Sequence, residues 1–329
     1  MMIRLSIFLF VLTTFGIGSD GANAQENERY AILIGGLGGS PEYSTRFEQY
    51  LFDTRKGLVE QFGFESDHVV VLGETAIRDR PFVDLVATSD NIRASFAELG
   101  GKISDGDLVL IVIFGHGSYD GTAASANIPR RDLTDGDFAR LLDDLPTPNV
   151  VFINTTSASG PFVRTLSFPD RVVITATKSG GQTNETRFPH FLVEGLGGQL
   201  ADLDRDGNVS FSELFTYAAE STAREYEADD FLATEHALLD DNGDGRGHQY
   251  SEQGTSGDGN LAAVLYLNKR TTSGIAGSGD LAADRSNLER QIAEVKSMKD
   301  ALSADEYYGQ LEVLFVQLAR LSDRIEGAR

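Results

Sequence analysis

Apolar and polar positions along this chain alternate in blocks that predict strands and helices in turn. Short, continuously apolar runs predict buried strands, which we place at 30–35, 68–72, 108–114, 150–154, 171–176 and 262–267. Amphipathic stretches predict intervening helices, which we place at 42–62, 90–100 and 135–145. Alternation of this kind favours an α/β fold with a doubly wound, mostly parallel six-stranded sheet and flanking helices.

The C-terminal region has a different pattern. Residues 271–279 are rich in Gly, Ser and Thr, which is typical of a flexible linker. Beyond it, 281–302 and 304–327 predict two helices, and Ser303 with Glu306 forms a capping box at the start of the second. Leucines in that helix recur every three or four residues and give one apolar stripe. We expect residues 280–329 to form a helical hairpin that docks on the domain or on itself, or that binds a helical partner.

The first 24 residues have the pattern of a secretory signal peptide. Arg4 precedes an apolar stretch at 5–18, and Ala22-Asn23-Ala24 is a small-x-small cleavage site. Cleavage would leave Gln25 first; the alternative is an uncleaved anchor. We therefore expect a periplasmic or secreted protein whose main domain covers 25–270, with no membrane association after cleavage.

Composition narrows the classes of function. The 329 residues carry a formal net charge of −22, and this acidity argues against nucleic acid as a partner. A hydrophobic content of 41% supplies enough apolar side chains for a sizeable core. The absence of cysteine excludes disulfides and thiolate chemistry.

Two loops carry the residues with the clearest chemistry. Residues 114–117 (Phe-Gly-His-Gly) follow the third predicted strand, and 154–160 (Asn-Thr-Thr-Ser-Ala-Ser-Gly) follow the fourth. In an open α/β sheet, ligands bind at the carboxyl ends of neighbouring strands. His116 and the hydroxyl cluster around Ser157 should therefore meet in one crevice. A histidine beside a hydroxyl suits a general base and a nucleophile.

These loops resemble those of the caspase-like peptidases, especially the legumain-like and bacterial metacaspase-like members. The resemblance covers roughly residues 29–268. That family has a catalytic histidine in an H-G turn after the third strand and a cysteine after the fourth, in a pattern like D-A-C-x-S-G. Aligning Ser159-Gly160 with the final S-G places Ser157 at the cysteine position.

The resemblance implies a role for each matched residue. It implies that His116 is the base, that the Gly117 backbone N–H contributes to an oxyanion hole, and that the fold is caspase-like. It also implies an endopeptidase acting on peptide or protein substrates. Residues 175–181 look like the segment after the fifth strand that helps to build the family's substrate cleft.

The replacement of cysteine by serine is a departure with chemical consequences. A cysteine beside an imidazole is already partly thiolate, whereas a serine needs a base that is itself oriented and supported. The sequence offers no clear carboxylate for His116, because Asp120 falls in a Ser-Tyr-Asp-Gly turn. Three interpretations stay open: an inactive homologue that binds ligands in the cleft, a weak serine peptidase, or ordinary loop-end residues. Thr156 is the alternative nucleophile, although its β-branch makes it more hindered.

Residues 202–213 match the twelve-residue EF-hand calcium loop position by position. The ligands expected at positions one, three, five, seven, nine and twelve are Asp202, Asp204, Asp206, the carbonyl of Asn208, Ser210 and Glu213. Gly207 occupies the sharp turn at position six. The pattern predicts a Ca²⁺ site; the alternative is an acidic turn before a helix.

Two further segments are ambiguous. Residues 240–248 repeat the first half of the calcium pattern, but position twelve is Ser251, so the closing carboxylate is missing and a turn-rich loop is equally consistent. His236 and His248 are either ligands or solvated loop residues. The glycine-rich segment 35–40 could hold phosphate or line the cleft, and it lacks the ending of a P-loop.

Overall fold

The computed structural model describes residues 27–75, 82–147, 149–252, 257–269, 278–299 and 302–327. The predicted signal peptide and residues 271–277 of the predicted linker lie outside the described residues. The strands are β1 Arg29–Gly35, β2 Val69–Gly73, β3 Leu85–Val86, β4 Leu108–Phe114, β5 Gly117–Tyr119, β6 Ala124–Ala126, β7 Leu133–Thr134, β8 Asn149–Asn154, β9 Arg171–Thr175 and β10 Leu238–Asp240. The helices are α1 Pro41–Glu60, α2 Ser89–Gly100, α3 Asp135–Asp143, α4 Pro161–Leu166, α5 Phe188–Leu196, α6 Phe211–Ala228, α7 Ser278–Ser297 and α8 Ala304–Gly327.

The main sheet is mostly parallel and belongs to an α/β fold. Its strand order is β10-β9-β8-β4-β1-β2-β3, and β10 alone runs antiparallel to its neighbour. The five strands predicted between residues 30 and 176 are all present, with bounds that differ by at most one residue. These strands lie in the order expected for a doubly wound sheet, because β2 is on one side of β1 and β4 is on the other.

The prediction of six strands was wrong in two respects. Within the described residues the main sheet has seven strands, because β3 and β10 occupy its edges. The run at 262–267 is not a strand of that sheet; it forms turns, and only Tyr266 makes an isolated bridge, to Ser210. Leu261, Ala262 and Leu267 are nevertheless buried. The apolar run at 262–267 therefore indicated burial correctly, but periodicity alone does not distinguish a strand from a buried turn.

Both faces of the sheet are covered by helices. Alternate strand residues, such as Leu33 and Ile153, belong to a core on the side of α1, α5 and α6. The intervening residues, such as Ile34 and Phe152, belong to a second core with α2, α3 and α4. Burial on both faces explains why the strands read as continuous apolar runs rather than as alternating patterns.

The predicted helical hairpin is present as α7 and α8. Ile292 and Val295 of α7 pack against Leu311 of α8, with Leu314 and Leu318 partly buried beside them. α8 spans the predicted residues, but α7 begins at Ser278, inside the segment predicted as linker, and ends at Ser297. Among the described residues, no helix is both long enough and apolar enough to cross a bilayer.

Candidate functional site

The two loops singled out by the sequence lie side by side at the carboxyl edge of the sheet. β4 and β8 are adjacent and parallel, with Ile113 paired to Asn154. The Thr155 N–H extends this pairing by donating to the Ile113 carbonyl at 3.0 Å. After β4 the chain continues through Gly115 and His116 into β5, the first strand of a small antiparallel sheet with β6 and β7. This small sheet, which the sequence pattern did not predict, holds Gly117 against the Ser157 loop.

Ser157 and Gly117 form a reciprocal pair of hydrogen bonds. The Ser157 Oγ accepts the Gly117 N–H at 3.2 Å and donates to the Gly117 carbonyl at 3.1 Å. Ser157 is only 4% exposed. Its hydroxyl proton is therefore directed at a backbone carbonyl, and the N–H expected in the oxyanion hole is occupied by the hydroxyl itself.

Gly117 has no room for a side chain at this contact. A Cβ at this position would lie 2.2 Å from the Ser157 carbonyl oxygen and 2.5 Å from the Thr156 Oγ1. The glycine of the H-G turn is thus required by the close approach of two backbones. Any larger residue would push the two loops apart.

His116 lies against aromatic rings of α1. Its imidazole is edge-on to Tyr43, with ring centroids 4.8 Å apart, and to Phe47, at 5.2 Å. Within the described residues, no hydrogen bond joins this imidazole to Ser157 or to a carboxylate. Asp120 accepts the N–H groups of Thr122 and Ala123 in its own turn, so it does not orient the histidine.

The other hydroxyls of the cluster are buried and hydrogen-bonded to the protein. Thr155 Oγ1 donates to the Ile113 carbonyl at 2.7 Å, and Thr156 Oγ1 donates to the Ser157 carbonyl at 3.1 Å. Ser159 and Thr177 share a hydroxyl contact of 3.1 Å that ties the Ser157 loop to the end of β9. The segment 175–181 therefore does adjoin the Ser157 loop. Thr156, the alternative nucleophile, is 1% exposed.

The backbone immediately after Ser157 is strained. Ala158 has φ of +52°, a left-handed conformation that costs about 1–2 kcal/mol for a residue with a Cβ. Its N–H donates to the Gln182 carbonyl at 2.7 Å, which holds the turn in place. Strain of this kind is often found at functional sites, where the surrounding structure maintains it.

A second histidine lies close to the same turn. The Gln182 amide Nε2 is 2.7 Å from the His236 Nδ1. Burial, together with the Lys178 charge, lowers the pKa of His236. No sequence pattern connects His236 with Ser157, because the connection runs through Gln182 and requires the fold.

An open groove of about 650 Å³ adjoins the candidate site. Thr186 lines it and donates its hydroxyl to the Thr155 carbonyl at 2.6 Å. Two arginines on its walls are neutralised: Arg46 pairs with Glu42 and Glu185, and Arg187 pairs with Glu225 and Asp229. Phe231 and Leu232, which are 63% and 92% exposed, provide an apolar rim. These pairs join four carboxylates to two guanidinium groups, so the region beside the apolar rim has a net negative charge.

Next to this groove, the buried Glu235 carboxylate caps α5. It accepts the N–H groups of Arg187 at 2.6 Å and Phe188 at 3.2 Å, and the Tyr226 hydroxyl at 3.1 Å. Burial raises the pKa of Glu235 to about 7, against the opposing effect of these donors. Glu235 belongs to no sequence motif, so its role could not be predicted from the sequence.

The first N–H groups of the glycine-rich segment after β1 are used in hydrogen bonds within the fold. The Gly36 N–H donates to the Phe114 carbonyl at 2.7 Å, and the Leu37 N–H donates to the Asn127 carbonyl at 2.9 Å. A Cβ at Gly36 would lie 2.5 Å from that Asn127 oxygen. These contacts favour the interpretation that the segment packs beside the cleft.

The first acidic loop (202–213) lies between α5 and α6. The side chains of Asp202, Asp204 and Asp206 offer oxygens within 4.8 Å of one another, and two of the three are exposed. The Asp202 carboxylate accepts the N–H groups of Asp206 and Gly207, each at 3.1 Å, as the turn requires.

The remaining predicted ligands form the frame of that loop. Glu213 accepts the N–H of Leu203 at 3.0 Å and the Ser210 hydroxyl at 2.7 Å, in a capping box that starts α6. The Asn208 side chain accepts a hydrogen bond from Asn268 at 2.7 Å. Glu213 is not among the three carboxylates that converge.

The second acidic loop (240–248) has the same kind of turn but different surroundings. In both loops the residues at positions four and six have positive φ; they are Arg205, Gly207, Gly243 and Gly245. Asp240 is fully buried and accepts the Ser167 hydroxyl at 3.0 Å.

Behind this loop, two more buried carboxylates fasten it to residues 257–262. Asp241 accepts the N–H groups of Gly259 at 2.9 Å and Ala262 at 2.8 Å. Asp258 accepts the Asp241 N–H at 3.2 Å and contacts the His248 Nδ1. Burial raises the pKa of Asp241 to about 7 and that of Asp258 to about 6. His248 therefore has a structural partner in this loop.

Comparison with known proteins does not assign this chain to a family. No protein-family model and no curated protein matches the chain. The chain is similar in structure to protein GSU0716 from Geobacter sulfurreducens, with a TM-score of 0.38 and 11% identity, over 59% of this chain and 89% of that chain. A likeness at this level indicates neither an activity nor a ligand.

Proposed function

We propose that this chain is an exported caspase- or legumain-like peptidase homologue that binds peptide or protein substrates and cleaves them weakly or not at all. Two features support the kinship: the H-G and S-x-S-G loops adjoin at the carboxyl edge of the sheet, and a groove opens beside them. Support for export comes from the pattern of residues 1–24.

The observation that carries the proposal of weak or absent catalysis is the reciprocal hydrogen bonding of Ser157 and Gly117. A serine nucleophile needs its proton directed at an oriented imidazole, and it needs backbone donors free to stabilise the oxyanion. Here the Ser157 proton is directed at the Gly117 carbonyl, and the Gly117 N–H is already used. The imidazole of His116 is held by aromatic rings instead.

A peptide-library cleavage assay in calcium-containing buffer tests this proposal. We expect the native protein to cleave near background and the Ser157→Cys variant to cleave at least about tenfold faster, because a thiolate forms with less help from a base. His116→Ala should abolish that gain, and Asp244→Asn, at an exposed position in the second acidic loop, serves as the control that leaves it intact. Robust native cleavage that disappears in Ser157→Ala would contradict the silenced site. A Ser157→Cys variant without any gain would contradict the peptidase kinship.

We further propose that the first acidic loop holds Ca²⁺ and that the ion stabilises the fold. Three convergent, mostly exposed carboxylates fit a hard cation that prefers six to eight oxygen ligands. Asp202, Asp204, Asp206, the Asn208 carbonyl, Ser210 and Glu213 would hold it. The ion would act structurally, because α6 begins in this loop and Val209 accepts the Leu267 N–H at 2.8 Å.

The alternative function is a calcium-binding scaffold protein without catalysis, acting through the cleft or through the C-terminal hairpin. The observation that favours this alternative is the apolar surface that α8 leaves exposed.

A further inference from the structure

α8 has two apolar surfaces, and α7 covers only one of them. The inner surface includes Leu311 and Leu321, which are buried. The outer surface includes Tyr308, Val313, Phe315 and Val316, which are 65%, 56%, 46% and 43% exposed. Four of the thirteen exposed large hydrophobic side chains among the described residues thus fall within nine positions of one helix.

The outer residues share one side of the helix. At about 100° per residue, Tyr308 and Phe315 project in nearly the same direction, and all four residues fall within roughly 160° of the circumference. A terminal helix with solvent on its outer side is normally polar there, whereas apolar residues on both sides indicate contacts on both sides. Nothing among the described residues covers this outer surface.

The charges along α8 favour a second copy of the same helix in the opposite direction. The first half, residues 304–315, carries three acidic and no basic residues, while residues 316–327 carry two arginines and two acidic residues. A parallel pair would place the two acidic halves together. An antiparallel pair centred on Phe315 and Val316 instead places Glu312 of each chain beside Arg320 of the other. All four of the charged side chains that would meet in this pair are exposed.

We propose that this protein forms a twofold-symmetric dimer through the outer surface of α8, with the two hairpins packed as an antiparallel four-helix bundle. Twofold contacts of this kind use the same surface on both subunits, which a self-complementary helix provides. Short-loop hairpins that pair through an apolar side are the ordinary way to build such a bundle.

Sedimentation velocity and light scattering on the full chain test the dimer. The native protein should have twice the mass of one chain, and the double variant Phe315→Glu, Val316→Glu should have the mass of one. The matched control is Leu232→Glu, because Leu232 is 92% exposed but lies outside the hairpin. Thermal unfolding checks that each variant remains folded. A native mass of one chain, or a dimeric double variant, would overturn the proposal.

A charge swap tests the direction of the pair without disturbing the apolar contact. Glu312→Arg should raise the dissociation constant about fivefold, since it removes two symmetry-related exposed ion pairs. Adding Arg320→Glu to the same chain should restore the native value. If the swap weakens the dimer further, the antiparallel arrangement is wrong.

Discussion

The two acidic loops share one turn conformation but place their carboxylates in different surroundings. In the first acidic loop the carboxylates of Asp202, Asp204 and Asp206 converge near the surface. In the second, Asp240 and Asp241 are buried, and the protein's own N–H and O–H groups occupy their lone pairs. A D-x-[DN]-x-[DN]-G pattern therefore specifies a backbone conformation. Whether the carboxylates are available to a cation depends on which groups the rest of the chain brings to them.

The largest expected difference between the two loops is in how much each contributes to the stability of the metal-free protein. Asp241→Ala removes the acceptor of the buried Ala262 N–H and of the partly buried Gly259 N–H. An unsatisfied buried N–H costs about 1–3 kcal/mol and a partly buried one less, so we expect the free energy of unfolding to fall by about 2–4 kcal/mol. Asp204→Ala, at an exposed position, should lower it by less than about 0.5 kcal/mol. Urea unfolding in EDTA measures both. Equal losses would mean that the two loops do not differ as described.

The next contrast is the response to calcium. If the first acidic loop binds Ca²⁺, a concentration one hundred times the dissociation constant should stabilise the native protein by about 2.7 kcal/mol. Thermal unfolding with Ca²⁺, and with Mg²⁺ as the control ion, measures the effect. The double variant Asp204→Asn, Asp206→Asn should lose the response, whereas Asp244→Asn in the second loop should keep it. A response that survives in the first variant would place the ion elsewhere.

The smallest contrast is in pH dependence. Because burial raises the pKa of Asp241 from the ordinary 3.8 to about 7, folding favours its protonated form. Its contribution to stability is complete below about pH 4 and is lost as the pH rises through 7. We expect the native protein to lose about 1–2 kcal/mol more than Asp241→Asn between pH 6 and 8. Burial also raises the pKa of Glu235, Asp240 and Asp258, and these groups are present in both proteins. The difference between the two urea-unfolding profiles therefore reports Asp241 together with its charge coupling to Asp258. Parallel profiles would contradict the buried, protonated carboxyl.

Elements with a strong local signal could be predicted from the sequence. The apolar runs of β1, β4 and β8 and the capping box at Ser303 are local patterns, and each marks an element present in the fold. The position of His116 beside the Ser157 loop also followed from strand order alone. Features that depend on distant residues could not be predicted, such as the hydrogen bonds that Asp241 accepts from Gly259 and Ala262. The orientation of the Ser157 hydroxyl could not be predicted either, because a spacing motif does not determine the direction of a hydroxyl proton.

The outermost strands of the main sheet have a consequence for how the protein behaves at high concentration. β3 has two residues, and β10 has three, of which Leu239 is already bridged by His248. Each border of the sheet therefore offers few unpaired backbone groups to a neighbouring molecule. A wide parallel sheet with long borders would invite other chains to add strands. Short edge strands, together with strong negative charge, should keep the folded protein from polymerising through its sheet edges.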